Sequence, residues 1–496
     1  MPCTTILIGK DATHDGSTIV ARNEDSCNGE FTPKRFVVVR PEDQPRRYRS
    51  TISHLEIDLP QDPMRYTSLP NALLNEGLWA AAGVNEANVA MSATETITSN
   101  ERVLAADPLV PYRAAVGKPD DEGYVPEQVG GIGEEDMVTL VLPYVRTARE
   151  GVARLGELLE RYGTYEMNGI AIHDAGEIWW LETIGGHHWM ARRVPDDCYV
   201  TMPNQLGIDR FDFADAEGEG AEHLCSADLR SFVRTNHLDL AMRRDGESDD
   251  VIDPRTTFGS ASDADHVYNT PRAWAMQRHL NPQDAHWDGP DATYGPESDD
   301  IPWCRRPERK LTMEDVKYVL SLHYQGTPFD PYGPAGSPDL RGTYRPIGIN
   351  RTSQLSATQL RDNLPQELRA IQWIAFGSNP FNAFVPLFAQ VDEAPAYFSH
   401  TDGTVSTESF YWACRLVGAL ADAHYGSCIA HIERYQEAVG SQARAMLLEA
   451  ERGLLTPEES NARIAAMVRT ETDRVLDHVL FEASMGMRNG FARSDN

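Results

Sequence analysis

The chain opens on three short runs of strand-forming, largely apolar residues, Cys3 to Gly9, Ser17 to Arg22 and Arg35 to Arg40, separated by Asp, Gly, Asn and Pro clusters that favour turns. This pattern starts the chain inside a sheet. From Asn75 to Thr96, NEGLWAAAGVNEANVAMSATET is small-residue and apolar, as strands and turns packed closely on another layer would be. After Thr147 the period changes: Val152, Leu155, Leu159 and Tyr162 fall near helical spacing, and Thr147 with Glu150 offers a capping box. From Gly169 to about Met202 alternation returns, broken by Asp-Ala-Gly and Pro-Asp-Asp, and predicts a meander of consecutive antiparallel strands. From Asp245 to Arg309 the chain turns rich in Asp, Gly, Pro and His, which predicts a long loop excursion serving as a lid or subunit contact. Thr312 and Asp315 signal a new helix start, and the last ninety residues read as helices, with Thr456, Pro457 and Glu459 at the start of the terminal one. No internal repeat is visible, which argues against solenoids and propellers.

At 496 residues the chain is long enough for a large core without covalent staples. Its seven cysteines are scattered and contain no CxxC pair, so they suggest neither a disulfide framework nor a zinc knuckle, and point to a reducing compartment. With no signal-peptide pattern and no run of eighteen apolar residues, the expectation is a cytoplasmic protein without a membrane role. A formal net charge of −30 repels nucleic-acid phosphates and anionic lipid head groups.

Candidate chemistry begins at Cys3, preceded only by Met and Pro. Alone, it also reads as a small packing residue on a strand. The ARNED segment at the end of the second run returns towards Cys3 as a hairpin would, bringing Arg22 and Asp25 near it. An arginine beside a thiol favours thiolate, and a carboxylate can orient an amine. Taken alone, ARNED also reads as a solvated strand end with a surface ion pair.

Cys3, ARNED, the TMPN segment with Asn204 and the NTPR segment with Arg272 together resemble the dipeptidase A family of N-terminal-nucleophile cysteine hydrolases, relatives of the bile-salt hydrolases and penicillin V acylases. SATET, WWLETIGGHHW, RPIGINRT and FYWACRLVGALAD extend the resemblance over nearly the whole chain. It implies an α+β fold, a four-layer αββα sandwich, with a two-residue propeptide at 1–2, a core over 3–400 and an added helical layer over 401–496. It further implies hydrolysis of dipeptides with broad specificity, without cofactor or metal; a homo-oligomer stays open. In the implied mechanism Cys3 sulfur attacks the peptide carbonyl while its own α-amine, with a pKa near working pH, carries the proton. Arg22 would stabilise thiolate, Asp25 would accept from the α-amine, and Asn204 would donate to the oxyanion. Arg272 would support the network around Cys3 or meet the substrate carboxylate.

The chain departs from the acylase pattern in two places. Where a second oxyanion asparagine is expected it has Thr94 and Glu95, so that role passes to Asn85 or to backbone N–H groups, and Glu95 becomes a candidate grip for a substrate α-ammonium group. Pro2 must also leave before Cys3 has a free amine, which predicts autocatalytic cleavage between Pro2 and Cys3. His187 and His188 lack a metal-binding spacing and read as packing or hydrogen-bonding residues; Thr4 and Thr5 are weaker nucleophile candidates than Cys3. The rival readings are an acylase-type amidase on non-peptide C–N bonds, a noncatalytic scaffold and a metal-dependent peptidase.

Overall fold

The computed structural model of the chain describes residues 3–27, 30, 32–244 and 247–487; the expected propeptide at 1–2 lies outside them. Two antiparallel sheets dominate. In the seven-stranded sheet the order is Cys304–Arg305, Tyr199–Met202, Cys3–Ile8, Thr18–Asp25, Thr352–Leu360, Ala370–Phe376, Val385–Phe388. In the six-stranded sheet it is His223–Cys225, His188–Arg193, Ile178–Ile184, Asn168–His173, Ala90–Thr96, Ala82–Val84.

Side-chain alternation explains how the first hairpin is buried on both faces. Leu7 and Val20 point one way and pack with Ala171, Trp180 and Met190 of the six-stranded sheet. Ile6, Ile8, Ile19 and Ala21 point the other way and share a core with Leu355, Phe376 and Val417 of the helix Phe410–Asp422. Across the six-stranded sheet, Met91, Ile172 and Leu181 pack on Val152, Leu155 and Leu159 of the helix Ala148–Tyr162. Cys3 shares its strand face with Thr5 and Leu7, so its sulfur is aimed at the six-stranded sheet.

The expected elements are largely present, with three differences. Thr147 caps its helix by accepting from Glu150 N, but the Glu150 carboxylate takes the N–H of Arg146, so the box is not reciprocal. The meander divides: its first three strands pair in sequence, whereas Tyr199–Met202 leaves them and pairs with Cys3–Ile8 in the other sheet. Finally, the supposed loop excursion contains the helices Pro254–Phe258, Asp263–Tyr268 and Thr270–Leu280, the last buried along most of its length. A full capping box, Ser262 with Asp265, and Pro271 in the first turn start these helices despite the Asp-rich composition.

The helices Tyr425–Glu451 and Pro457–Met485 close the chain, and Thr312 and Thr456 each form a complete capping box. Asn461 covers the edge strand Val385–Phe388: its Oδ1 accepts from Phe388 N at 2.8 Å and its Nδ2 donates to Phe388 O at 2.9 Å. Ile464, Val468, Val475 and Val479 bury the same helix in the core. Ile464→Ala is expected to cost about 2–5 kcal/mol, read as a lower urea midpoint. No helix among the described residues is long and apolar enough to cross a membrane.

Candidate active site

The hairpin register sets Cys3 opposite Glu24 and Thr5 opposite Arg22. All eight residues of Thr18–Asp25 are buried, so ARNED is an interior segment and not the solvated strand end its charges suggest. Arg22 is 2 % exposed and lies flat between the sheets. Its Nη1 contacts Cys3 Sγ at 3.2 Å and donates to Thr94 O at 2.8 Å, while Nη2 donates to Ala93 O at 2.7 Å. Nε reaches Ser92 Oγ at 3.2 Å. Two carboxylates balance it, Glu24 at 3.2 Å and Glu134 at 3.3 Å. Glu24 also pairs with the buried Lys34 at 2.5 Å; although burial opposes ionisation, Lys34 and Arg22 hold this carboxyl below its ordinary range.

Cys3 itself is fully enclosed. Burial pushes its thiol up, Arg22 pulls it down, and the charges of Glu95 and Glu134 push it up again. Burial thus works against the thiolate that Arg22 favours. The Cys3 nitrogen donates to Asn204 Oδ1 at 3.2 Å. Asn204 Nδ2 donates to Thr96 O at 2.9 Å, so this side chain links the turn after Tyr199–Met202 to the six-stranded sheet.

Arg272, from the helix Thr270–Leu280, fixes the same residue from the other side. Nη1 donates to the Cys3 carbonyl and to Thr4 Oγ1 at 2.6 Å. Nη2 donates to Asn204 Oδ1 at 2.8 Å and Asn269 Oδ1 at 2.9 Å, and Nε to Tyr268 O at 2.7 Å. A guanidinium has five N–H donors, and five acceptors take them. In this arrangement all the hydrogens of Arg272 are taken up around Cys3, Thr4, Asn204, Tyr268 and Asn269. Burial and the charge of Arg345 bring it down to about 10. Arg272→Lys replaces a planar fork by a single ammonium and leaves several buried acceptors unmet. It is expected to lower stability by about 3 kcal/mol or more and to reduce turnover, measured by thermal unfolding and steady-state kinetics.

Asp25 lies one residue beyond Glu24, on the strand face of Asn23. Arg345 Nη2 and Thr352 Oγ1, the latter at 2.6 Å, hold its carboxylate. Glu95 is completely buried: Thr5 Oγ1 donates to its Oε2 at 2.7 Å, and Oε1 has no hydrogen-bond partner among the described residues. Burial pushes this carboxyl up to about 8, against the pull of Arg272. Thr94 offers its carbonyl to Arg22, and its buried hydroxyl is likewise without a partner. Asn85 is the exception. Both hydrogens of its amide donate to Leu142 O and Val145 O, at 2.8 and 2.7 Å, and its Oδ1 accepts from Ala87 and Val89, so it shapes a turn and has no donor for an oxyanion.

The side chains that sequence reasoning missed are Lys34, Glu134, Glu166 and Arg345. Glu134 stands in GGIGEED, where consecutive acids read as solvent-facing, yet Glu134, Glu135 and Asp136 are each 1 % exposed. The adjacent His187 and His188 both clamp Asp107, at 2.9 and 2.7 Å, because the first is still in the turn before the strand. A cavity of about 660 Å³ runs along Thr201, Pro203, Gln205 and Thr270, chain neighbours of Asn204 and Arg272; Cys3 is not part of its wall.

The site is thus a buried thiol with a cation at its sulfur and an amide oxygen at its nitrogen, and the matching family model makes the chain a hydrolase of the peptidase class. The chain belongs to peptidase family C69, whose model matches residues 2–438. It is 57% identical, over the full length of both chains, to a dipeptidase of Bifidobacterium longum (strain NCC 2705). Identity is 54%, again over all of both, to a probable dipeptidase A of Streptococcus pyogenes serotype M3 (strain SSI-1), and 43% to dipeptidase A of Lactobacillus helveticus, with 85% of this chain and 82% of that one covered.

Proposed function

We propose that this chain hydrolyses dipeptides through a thioester on Cys3, after residues 1 and 2 have been removed. The observation that carries the reading is the pair of contacts on one residue, Arg22 Nη1 on Cys3 Sγ at 3.2 Å and Asn204 Oδ1 on Cys3 N at 3.2 Å. Sulfur and nitrogen of a single residue are thus separately held, as a nucleophile that uses its own amine as base needs. The names of the relatives supply the substrate class.

In this mechanism the thiol proton moves to the α-amine as sulfur attacks the carbonyl carbon, and then to the leaving amine; water, activated by the same amine, releases the acyl group. Arg22 stabilises developing thiolate, and Asp25, steadied by Arg345 and Thr352, accepts from the amine. The Nδ2 group of Asn204 donates to the oxyanion, joined by the hydroxyl of Thr94. The two sheets and their flanking helices form the αββα sandwich of N-terminal-nucleophile hydrolases, with 3–400 as core and 401–496 as the added layer, in a cytoplasmic enzyme. Turnover of dipeptides far above that of acyl amides such as penicillin V supports this; the reverse preference sinks it.

The pH profile gives a second check. With Glu95 ionising near 8 in the free enzyme, gripping an ammonium there releases a proton, so 1/KM should rise with pH up to about 8. Above that the substrate amine, pKa about 7.7 to 8.0, loses its own charge and binding weakens. Glu95→Gln should flatten the rising limb; an unchanged KM and profile would remove Glu95 from substrate binding.

A further inference from the structure

We infer that Glu95, Glu134 and Glu166 form an anionic pocket for the α-ammonium group of the substrate, which confines cleavage to the bond after the first residue of an unblocked peptide. This rests on Cys3 as the nucleophile. The argument starts from distance. In a reactive complex the substrate carbonyl carbon lies about 3 to 3.5 Å from the sulfur, and the α-nitrogen is only two bonds further. Arg22 Nη1 touches Cys3 Sγ at 3.2 Å and Glu134 Oε1 at 3.3 Å, so that carboxylate stands within two hydrogen-bond lengths of the sulfur. Glu95, fixed through Thr5 on the strand of Cys3, is the other acid whose charge the thiol feels. Glu166 completes the group from outside: half-buried, its Oε1 accepts from Glu134 N at 2.8 Å.

Charge balance points the same way. Arg22 and Lys34 pair with Glu24 and Glu134, and Arg345 with Asp25. Arg272 gives all its hydrogens to uncharged oxygens. Among the described residues no basic side chain makes an ion pair with Glu95 or Glu166. Buried carboxyls without a directly paired cation are costly, even with Arg272 nearby, and Glu95 Oε1 has no hydrogen-bond partner among the described residues. Burial, then the charge of Glu134, pushes the Glu166 carboxyl up as well. A substrate ammonium would supply a directly paired cation, and by offsetting the acids around Cys3 it would also ease loss of the thiol proton. An acylated amine brings no charge and must bury its acyl group against these carboxylates.

The test compares kcat/KM of the mature enzyme for L-alanyl-L-alanine and N-acetyl-L-alanyl-L-alanine. The unaltered enzyme should prefer the free amine by about a thousandfold or more. Glu95→Gln and Glu166→Gln should each reduce that ratio by about tenfold or more. Glu166 does not touch Arg22 or Cys3, so its variant keeps the test open if Glu95→Gln folds poorly. A purely structural role would slow both substrates equally, and a ratio unchanged in folded, active Glu166→Gln and Glu95→Gln would overturn the inference. Equal cleavage of both peptides by the unaltered enzyme would also overturn it while leaving the thiol mechanism standing. Cleavage of neither would sink the hydrolytic reading first, and this inference with it.

Discussion

Cys3→Ala should lower dipeptide turnover by about ten-thousandfold or more while leaving the fold intact. The size follows from the division of labour around this residue. Arg22, Asn204 and Arg272 all touch Cys3, and none of them can form a covalent bond to carbon. Without sulfur they still orient a substrate, but the acyl transfer that splits hydrolysis into two easier steps is lost. The fold should tolerate the change, because Cys3 N and O keep their partners and only one buried sulfur is removed. Cys3→Ser, which leaves a weaker nucleophile at the same place, should fall between the two. Near-normal melting with vanishing activity is the expected signature, and normal activity in Cys3→Ala would place the chemistry elsewhere.

Asn204→Ala is expected to cost about a hundredfold to a thousandfold in kcat, the usual effect of removing one oxyanion donor. Because Oδ1 also takes the Cys3 N–H and an Arg272 N–H, alanine removes a positioning contact along with the donor. Asn204→Asp separates the two: it keeps an acceptor for both donors and has no N–H for the oxyanion. If Asn204 acts mainly on the transition state, both variants lose kcat with little change in KM. If it only holds Cys3, the aspartate variant should retain most of its activity.

Of the groups around Cys3 only Arg22 is local; Asn204 and Arg272, 201 and 269 residues away, come from the family resemblance and not from spacing. A hairpin of known register brings Arg22 beside the terminus, and the capping signals at Thr312 and Thr456 depend on residues three apart. Strand exchange was not legible in the same way. Tyr199–Met202 alternates like the strands before it, and nothing in a period of two says which sheet it joins. The helix carrying Arg272 was hidden by composition: the Asp- and Pro-rich chain around it suggested a loop, although Ser262, Asp265 and Pro271 carried the start signals. Glu134 and Glu166 were missed for a different reason. Sequence patterning treats charged residues as surface, and Glu134, buried beside Arg22 between the sheets, breaks that rule. Asn85 shows the opposite ambiguity, since an asparagine suited to an oxyanion is equally suited to closing a turn, and its amide hydrogens go to Leu142 O and Val145 O.

The most direct measurement is the intact mass and N-terminal sequence of active enzyme before and after treatment with a thiol alkylator. A chain beginning at Cys3, labelled once on that residue and inactivated in step with labelling, is the expected result. An active chain that retains Pro2, or one that keeps full activity with Cys3 alkylated, would contradict the mechanism.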